Sequence, residues 1–219
     1  PPYDIRGDFW NISTLKTLDR ELGLGSIPKP LKVPHPEIVC SALAPYSNGV
    51  YEATLRGWNI ISSNFLPPWG LKSHFHKMNE AWEQDGKSPK PETWRVVRHI
   101  FVSEDKKTID RYARAADGPY AYMVEQIFKK LEKAKKLGLM ALSEQDSGSE
   151  PVLKDVLHST LITGSPREVA DQILSLREVA GPFGSIVYAG VDWQNPILAK
   201  RSLELMAEEV MPLINAAIP

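Results

Sequence analysis

The sequence predicts a parallel α/β fold, and three observations lead there. Four short apolar runs are spaced along the chain, each is followed by a stretch of helical periodicity, and glycine or proline punctuates the joints. Parallel neighbours need a crossover between them, which those helical stretches supply. Such units build either an open doubly wound sheet or half of an eight-stranded barrel, and periodicity does not choose between the two.

Residues 1–36 carry prolines at positions 1, 2, 28, 30, 34 and 36. Proline fixes φ and removes a donor, so a long crossover loop is expected, with a short helical turn near residues 15–22. Residues 37–44 (EIVCSALA) then read as a buried strand and 47–56 as a helix ended by Gly57. Residues 58–63 (WNIISS) are the second strand, and 70–84 a helix closed by Gly86. Residues 94–102 (WRVVRHIFV) are the third strand, with helices over 105–115 and 119–137 behind it. Residues 144–150 (EQDSGSE) are polar and read as a mobile loop.

Ser165, Pro166 and Glu168 form a capping box with proline at the first helical position. The helix they open places Val169, Ile173, Leu176 and Ala180 on one face. Residues 185–189 (SIVYA) are the fourth strand, and 198–217 the closing helix, with Leu203, Met206, Val210 and Leu213 expected to share its buried face. The 37–219 region therefore reads as four βα units, and the 219 residues as one partial-barrel domain preceded by the 1–36 loop.

Composition narrows the function classes. The formal net charge of −1 offers no basic surplus for nucleic acid or a membrane surface, and no run is long and apolar enough for a span. Cys40 is the single cysteine, so no intrachain disulfide or thiolate zinc cluster is expected, and the cytoplasm is the default compartment. His35, His74, His76, His99 and His158 show no metal-ligand spacing, and no metal is expected. No GxSxG, Walker or GxGxxG pattern occurs.

The candidate site residues gather at strand ends. Ala44, Pro45, Tyr46, Ser47, Asn48 and Gly49 join a strand to a helix N-terminus, where backbone N–H groups and the macrodipole favour an anion. A plain serine cap explains the same residues. Ser62, Ser63 and Asn64 end the second strand, with Asn64 the best polar contact for a pocket. Alternation puts Arg98 on the face opposite Arg95 and His99, and a buried guanidinium calls for an anion or an outward carboxylate. His99 reads as a packed or solvated histidine. Phe9 and Trp10 either cover a ligand or pin the opening loop, and Asp192 reads as a helix cap.

PPYDIRGDFWN, IPKPLKVPHPEIVCSALAPYSNG, RGWNIISSNF, TWRVVRHIFVSED, GSPREVADQI and GPFGSIVYAGVDW follow one another in an order that resembles the C-terminal half of the bacterial-luciferase-like flavin-dependent monooxygenases, in particular their alkanal and limonene monooxygenase branch. The resemblance implies a (β/α)8 TIM barrel of which this chain carries strands 5–8. It implies reduced FMN and O2 as co-substrates, less readily a deazaflavin, with a small organic substrate and a partner flavin reductase. It assigns the flavin phosphate to the turn holding Ala44, Ser47, Asn48 and Gly49, with Asn48 standing where the family usually has a hydroxyl residue, and Val191 where it often has histidine. Asn64, Arg98 and Trp10 become candidates for the flavin or substrate pocket. No catalytic residue is assigned, because much of the family's machinery lies on the first four strands; the isolated chain is therefore expected to be inactive. A homo-oligomer is expected of the complete protein. The alternatives are a non-catalytic flavin-binding or partner subunit and a self-contained α/β binding domain.

Overall fold

The apolar runs become strands because their β-branched residues suit a pleated surface, and each is followed by a helix that packs back on the sheet. A computed structural model describes residues 4–17, 19, 21–22, 31–33, 35–146, 148–191 and 194–218. The chain divides into two units, Pro1–Glu37 and Ile38–Pro219.

The first unit contains a small antiparallel hairpin, β1 (Asp4–Arg6) with β2 (Asn11–Ser13), in register Asp4–Ser13 and Arg6–Asn11. The Gly7 N–H donates to the Trp10 carbonyl and closes its turn. The expectation of a plain loop is corrected there. Among the described residues of 15–22 no helix forms. Pro28, Pro30 and Pro34 lie outside the described residues, as do residues 1–3.

In the second unit the strands are β3 (Val39–Ala42), β4 (Asn59–Ser62), β5 (Arg95–Val102), β6 (Leu161–Gly164) and β7 (Ser185–Ala189). All are parallel, in the order β3-β4-β5-β6, with β7 also on β5. β5 has eight residues, and its neighbours divide it: β4 and β7 align with its first half, β6 with its second. The four expected strands are thus present and parallel. β6 was not expected, because the LITG run is too short to be told from the end of the helix before it.

The helices are α1 (Asn48–Leu55), α2 (Pro68–Gln84), α3 (Lys106–Thr108), α4 (Pro119–Lys133), α5 (Leu153–Thr160), α6 (Pro166–Ala180), α7 (Pro196–Leu205) and α8 (Met211–Ala217). Gly57 and Gly86 take left-handed φ of 72° and 63°, and end α1 and α2 as expected. The Ser165–Glu168 capping box forms, and Val169, Ile173, Leu176 and Ala180 are all buried. Three expectations fail. The 105–115 helix is a single α-turn, capped by the Asp105 carboxylate, that continues as a π-turn over Ile109–Arg114. The helix from Pro119 stops at Lys133, and a 3-10 turn follows at Leu137–Met140. The closing helix is broken by a π-turn at Met206–Val210, which rotates its face: Ala199, Ser202, Leu205, Met206, Val210 and Ile214 are buried, while Leu203 and Leu213 are exposed.

The main core lies between the sheet and α1, α2, α6 and the closing helices. Ala42, Ile60, Val96 and Ile100 supply the sheet side, and Trp82, Ile173, Leu205 and Val210 the helix side. Trp94 stacks on Phe75 and meets Phe183 edge-on. A second cluster, with Phe101, Tyr112, Tyr120 and Val156, closes the far end of β5. The alternate face of the sheet carries Val39, Ile61, Val97 and Val187, which are half-buried or exposed, and Ser41, which is exposed.

Candidate functional site

Parallel strands bring their C-terminal ends to one side of a sheet, and ligands in α/β folds bind there. The turn after β3 is built from outside itself. Tyr46 has φ 51°, a left-handed conformation uncommon for a bulky residue. Its N–H donates to Ser73 Oγ at 2.9 Å, and the Ser73 hydroxyl donates to the Gly70 carbonyl at 2.6 Å. The Ala44 carbonyl accepts from His74 Nε2 at 2.8 Å. His74 Nδ1 accepts from the Ser62 hydroxyl, whose oxygen accepts the Trp94 indole N–H, both at 2.8 Å. A carbonyl can only accept, so the His74 proton sits on Nε2. Burial holds the His74 pKa below its ordinary value, and the bond to Ala44 offsets part of that. The buried string Trp94–Ser62–His74–Ala44 thus fixes the exit of β3 from the start of β5.

α1 begins just beyond. Ser47 stands at its N-cap with extended φ −61° and ψ 121°, and its side chain makes no capping bond. Its carbonyl accepts from the Val50 N–H at 3.1 Å. Ser47 is half-buried, while Asn48 and Gly49 are exposed. A Cβ on Gly49 would lie 3.3 Å from Ser47 Oγ and crowd the hydroxyl. Ala44, Ser47, Asn48 and Gly49 are therefore gathered in one turn, with the serine hydroxyl free of a capping bond and uncommitted among the described residues.

Loop 63–66 follows β4. The Ser63 hydroxyl donates to Asn64 Oδ1 at 3.2 Å, and Asn64 Nδ2 donates to His99 Nε2 at 2.8 Å. The ring proton of His99 then sits on Nδ1. That atom is buried and has no partner in hydrogen-bond geometry. His99 is 3% exposed, and burial lowers its pKa to about 4; the Ala189 carbonyl opposes the shift and the Arg98 charge adds to it. His99 is thus neutral at neutral pH.

Arg98 lies on the other face, with Val96 and Ile100, towards the helices. Its Nη2 donates to the Leu66 carbonyl at 2.8 Å, and its Nη1 to Val97 at 3.0 Å and, long, to Ser63 at 3.5 Å. Burial lowers its pKa to about 9. The anion expected for a buried guanidinium is replaced by backbone carbonyls, and among the described residues no carboxylate pairs with it. Arg98 also borders a cavity of about 220 Å³ with Pro68, Ile162 and Gln172, so it stands behind loop 63–66.

An open cleft of about 940 Å³ adjoins the turn after β3. Ala44, Pro45, Tyr46, Trp69, Lys135 and Leu137 are among the residues that line it. The Tyr46 hydroxyl donates to Glu144 at 2.8 Å, and that bond raises the tyrosine's pKa. The Trp69 indole donates to the Ala141 carbonyl at 2.6 Å. Trp10 closes the hairpin turn of the first unit and is 79% exposed. Asp192 lies outside the described residues. Sequence reasoning missed Ser73, His74 and Trp94 as builders of the site. The bonds Ser73–Tyr46, His74–Ala44 and Trp94–Ser62 span 27, 30 and 32 residues, so no local pattern announces them.

No family model matches the chain. It is 27% identical over 183 residues to 2,5-diketocamphane 1,2-monooxygenase 1 of Pseudomonas putida, covering 82% of this chain and 50% of that protein. It is 25% identical over 185 residues to 2,5-diketocamphane 1,2-monooxygenase 2 of the same organism, covering 83% and 50%. Among solved structures, the oxygenating constituent of 3,6-diketocamphane monooxygenase of P. putida, a type II Baeyer-Villiger monooxygenase in complex with FMN, superposes with TM-score 0.72 at 23% identity, covering 98% of this chain and 58% of that one. The chain spans about half the length of the curated relatives it matches. These similarities bear out the resemblance to the luciferase-like flavin-dependent monooxygenases read from its motifs.

Proposed function

We propose that the chain is the strand 5–8 portion of a luciferase-like monooxygenase that uses reduced FMN and O2 to oxidise a small organic substrate of the cyclic-ketone class. The observation that carries this reading is the turn after β3. Its uncommitted Ser47 hydroxyl, the first N–H groups of α1 and the bare Gly49 fit a phosphate, and Ser73 and His74 hold them in place. FMN supplies the oxygen-activating chemistry when bound, and the protein supplies binding, orientation and exclusion of water. Ser47, Asn48, Gly49 and the Ala44 backbone hold the phosphate, and Asn64 offers a polar contact at the neighbouring strand end. Arg98 acts from behind that contact.

Two features support a partial barrel. Parallel strands are ordinarily covered on both faces, yet Val39, Ile61, Val97 and Val187 present an apolar face that is only half covered. The sheet order also ends at β3, whose other edge pairs with no strand among the described residues. Four further βα units would meet both needs. A flavin reductase delivers the reduced cofactor, and the complete protein is a homo-oligomer.

The test supplies the protein as encoded with FMN, a flavin reductase, reduced nicotinamide and O2, and offers 2,5-diketocamphane. A lactone heavier than the ketone by one oxygen atom is expected. A protein that binds no FMN and leaves the ketone unchanged overturns the reading.

A further inference from the structure

Arg98 and His99 are neighbours in β5, so their side chains leave opposite faces of the sheet. Both reach the same four-residue loop. Arg98 takes the Ser63 and Leu66 carbonyls from the helix side, and His99 takes the Asn64 side chain from the other. Each is at most 3% exposed, so the grip is made away from water. Leu66 is fully buried, which anchors the loop's far end.

The valences of Asn64 show what this arrangement is for. A carboxamide has two N–H donors and two oxygen lone pairs. Ser63 uses one lone pair and His99 one N–H. One N–H and one lone pair remain, with the imidazole Nε2 accepting from the amide on the other side. Burial keeps that imidazole neutral, so one ring nitrogen remains able to accept a hydrogen bond. A loop made only to connect β4 with α2 would need neither an inserted guanidinium nor a buried histidine bonded to its side chain.

We propose that Arg98 and His99 are positioning residues that clamp loop 63–66 from the two faces of the sheet, so that Asn64 is held in place to offer its remaining N–H to a ligand carbonyl oxygen. The inference rests on the reading of the strand ends as a flavin and ketone site. The carbonyl belongs either to the flavin ring or to the organic substrate, and the recognising chemistry is the same.

The experiment compares wild type with Asn64→Ala, His99→Phe, His99→Gln and Arg98→Lys. Oxidised FMN and riboflavin are titrated by fluorescence, and KM and kcat are measured for 2,5-diketocamphane with reductase-supplied FMN. Asn64→Ala is expected to raise one constant about tenfold, the size of one well-placed hydrogen bond. A flavin-ring contact raises the Kd of FMN and riboflavin alike. A substrate contact leaves both unchanged and raises KM. His99→Phe reproduces the same change, and His99→Gln, which keeps an acceptor for Asn64, recovers most of it. Arg98→Lys keeps the charge with fewer donors and gives a smaller change of the same kind. Equal loss in His99→Phe and His99→Gln overturns the positioning role. If His99→Phe does not fold, Asn64→Ala decides alone. Constants within twofold of wild type in Asn64→Ala, in a protein whose FMN affinity still falls on Ser47→Ala with Asn48→Ala, overturn the clamp and leave the flavin reading standing. A wild type without FMN affinity overturns both.

Discussion

The two faces of the parallel sheet carry similar apolar residues but bury them to different depths. On one face Ala42, Ile60, Val96 and Ile100 are at most 4% exposed beneath the helices. On the other, Val39 is 40% exposed, and Ile61, Val97 and Val187 are half-buried. Residue type alone therefore does not tell the faces apart. The difference lies in what covers them: the helices pack on one face, and the β-branched residues named on the other are left exposed or half-buried among the described residues. Stability is expected to reside on the covered face and association on the other.

The largest break in that comparison is Trp94→Ala. Trp94 is fully buried, stacks on Phe75, and donates to Ser62 at the head of the string that ends on Ala44. Truncation is expected to cost about 3–5 kcal/mol in denaturant unfolding, as for other buried aromatics. A loss below about 1 kcal/mol, the centre of the distribution for ordinary substitutions, would place the core elsewhere.

Acid sharpens the comparison next, because each face buries a neutral histidine: His74 on the helix side and His99 on the other. Both have folded pKa values below the ordinary histidine value, His99 at about 4. Between that value and the unfolded ~6.5, the unfolded chain binds more protons than the folded one. The stability from the neutral rings is thus complete above the unfolded pKa and is lost as pH falls towards 4. For His99 alone the loss at pH 5 is expected to be roughly 2 kcal/mol. Comparing urea midpoints at pH 7 and pH 5 in wild type and His99→Gln checks this: the variant should lose less on acidification.

How much of this was legible in the sequence follows the same division between local and distant causes. β3, β4, β5 and β7, the Ser165 capping box and the face of α6 are written in short-range patterns and could be read directly. The π-turn at Met206–Val210 was not, because tertiary packing overrides an otherwise regular helical period there and turns Leu203 outward. The alternation that put Arg98 opposite His99 was correct, but its partners were not foreseeable: carbonyls of a loop more than thirty residues earlier replace the anion. Ser47 was readable as an N-cap position, whereas the absence of a capping bond from its side chain was not.

The ligand turn offers the next effect. Each hydrogen bond lost to a charged group is worth about 1.5–3 kcal/mol, so Ser47→Ala with Asn48→Ala should weaken FMN binding tenfold or more. Riboflavin lacks the phosphate and should be far less affected. Equal losses for the two ligands would make Ser47 a structural residue only.

The smallest expected effect on stability is also the one that tests the open face most directly. Val97 and Val187 are neighbours across the β5–β7 pairing and are half-buried on the uncovered side. Replacing both with threonine changes little shape and removes apolar surface that the 219-residue chain only half buries. Unfolding free energy should therefore move by no more than about 0.5 kcal/mol, as for surface sites. Association should move more, because an unpaired strand edge beside an apolar face invites another chain. The chain alone is expected to form oligomers, and the double variant to shift them towards monomer in sedimentation velocity. In a protein that supplies the cover, the same two substitutions fall within a core, where each valine-to-threonine change buries a hydroxyl and costs about 1–3 kcal/mol. A chain that is already monodisperse and monomeric, with a double variant equally stable in every context, would mean that the face is solvated by design and that no second half is needed to cover it.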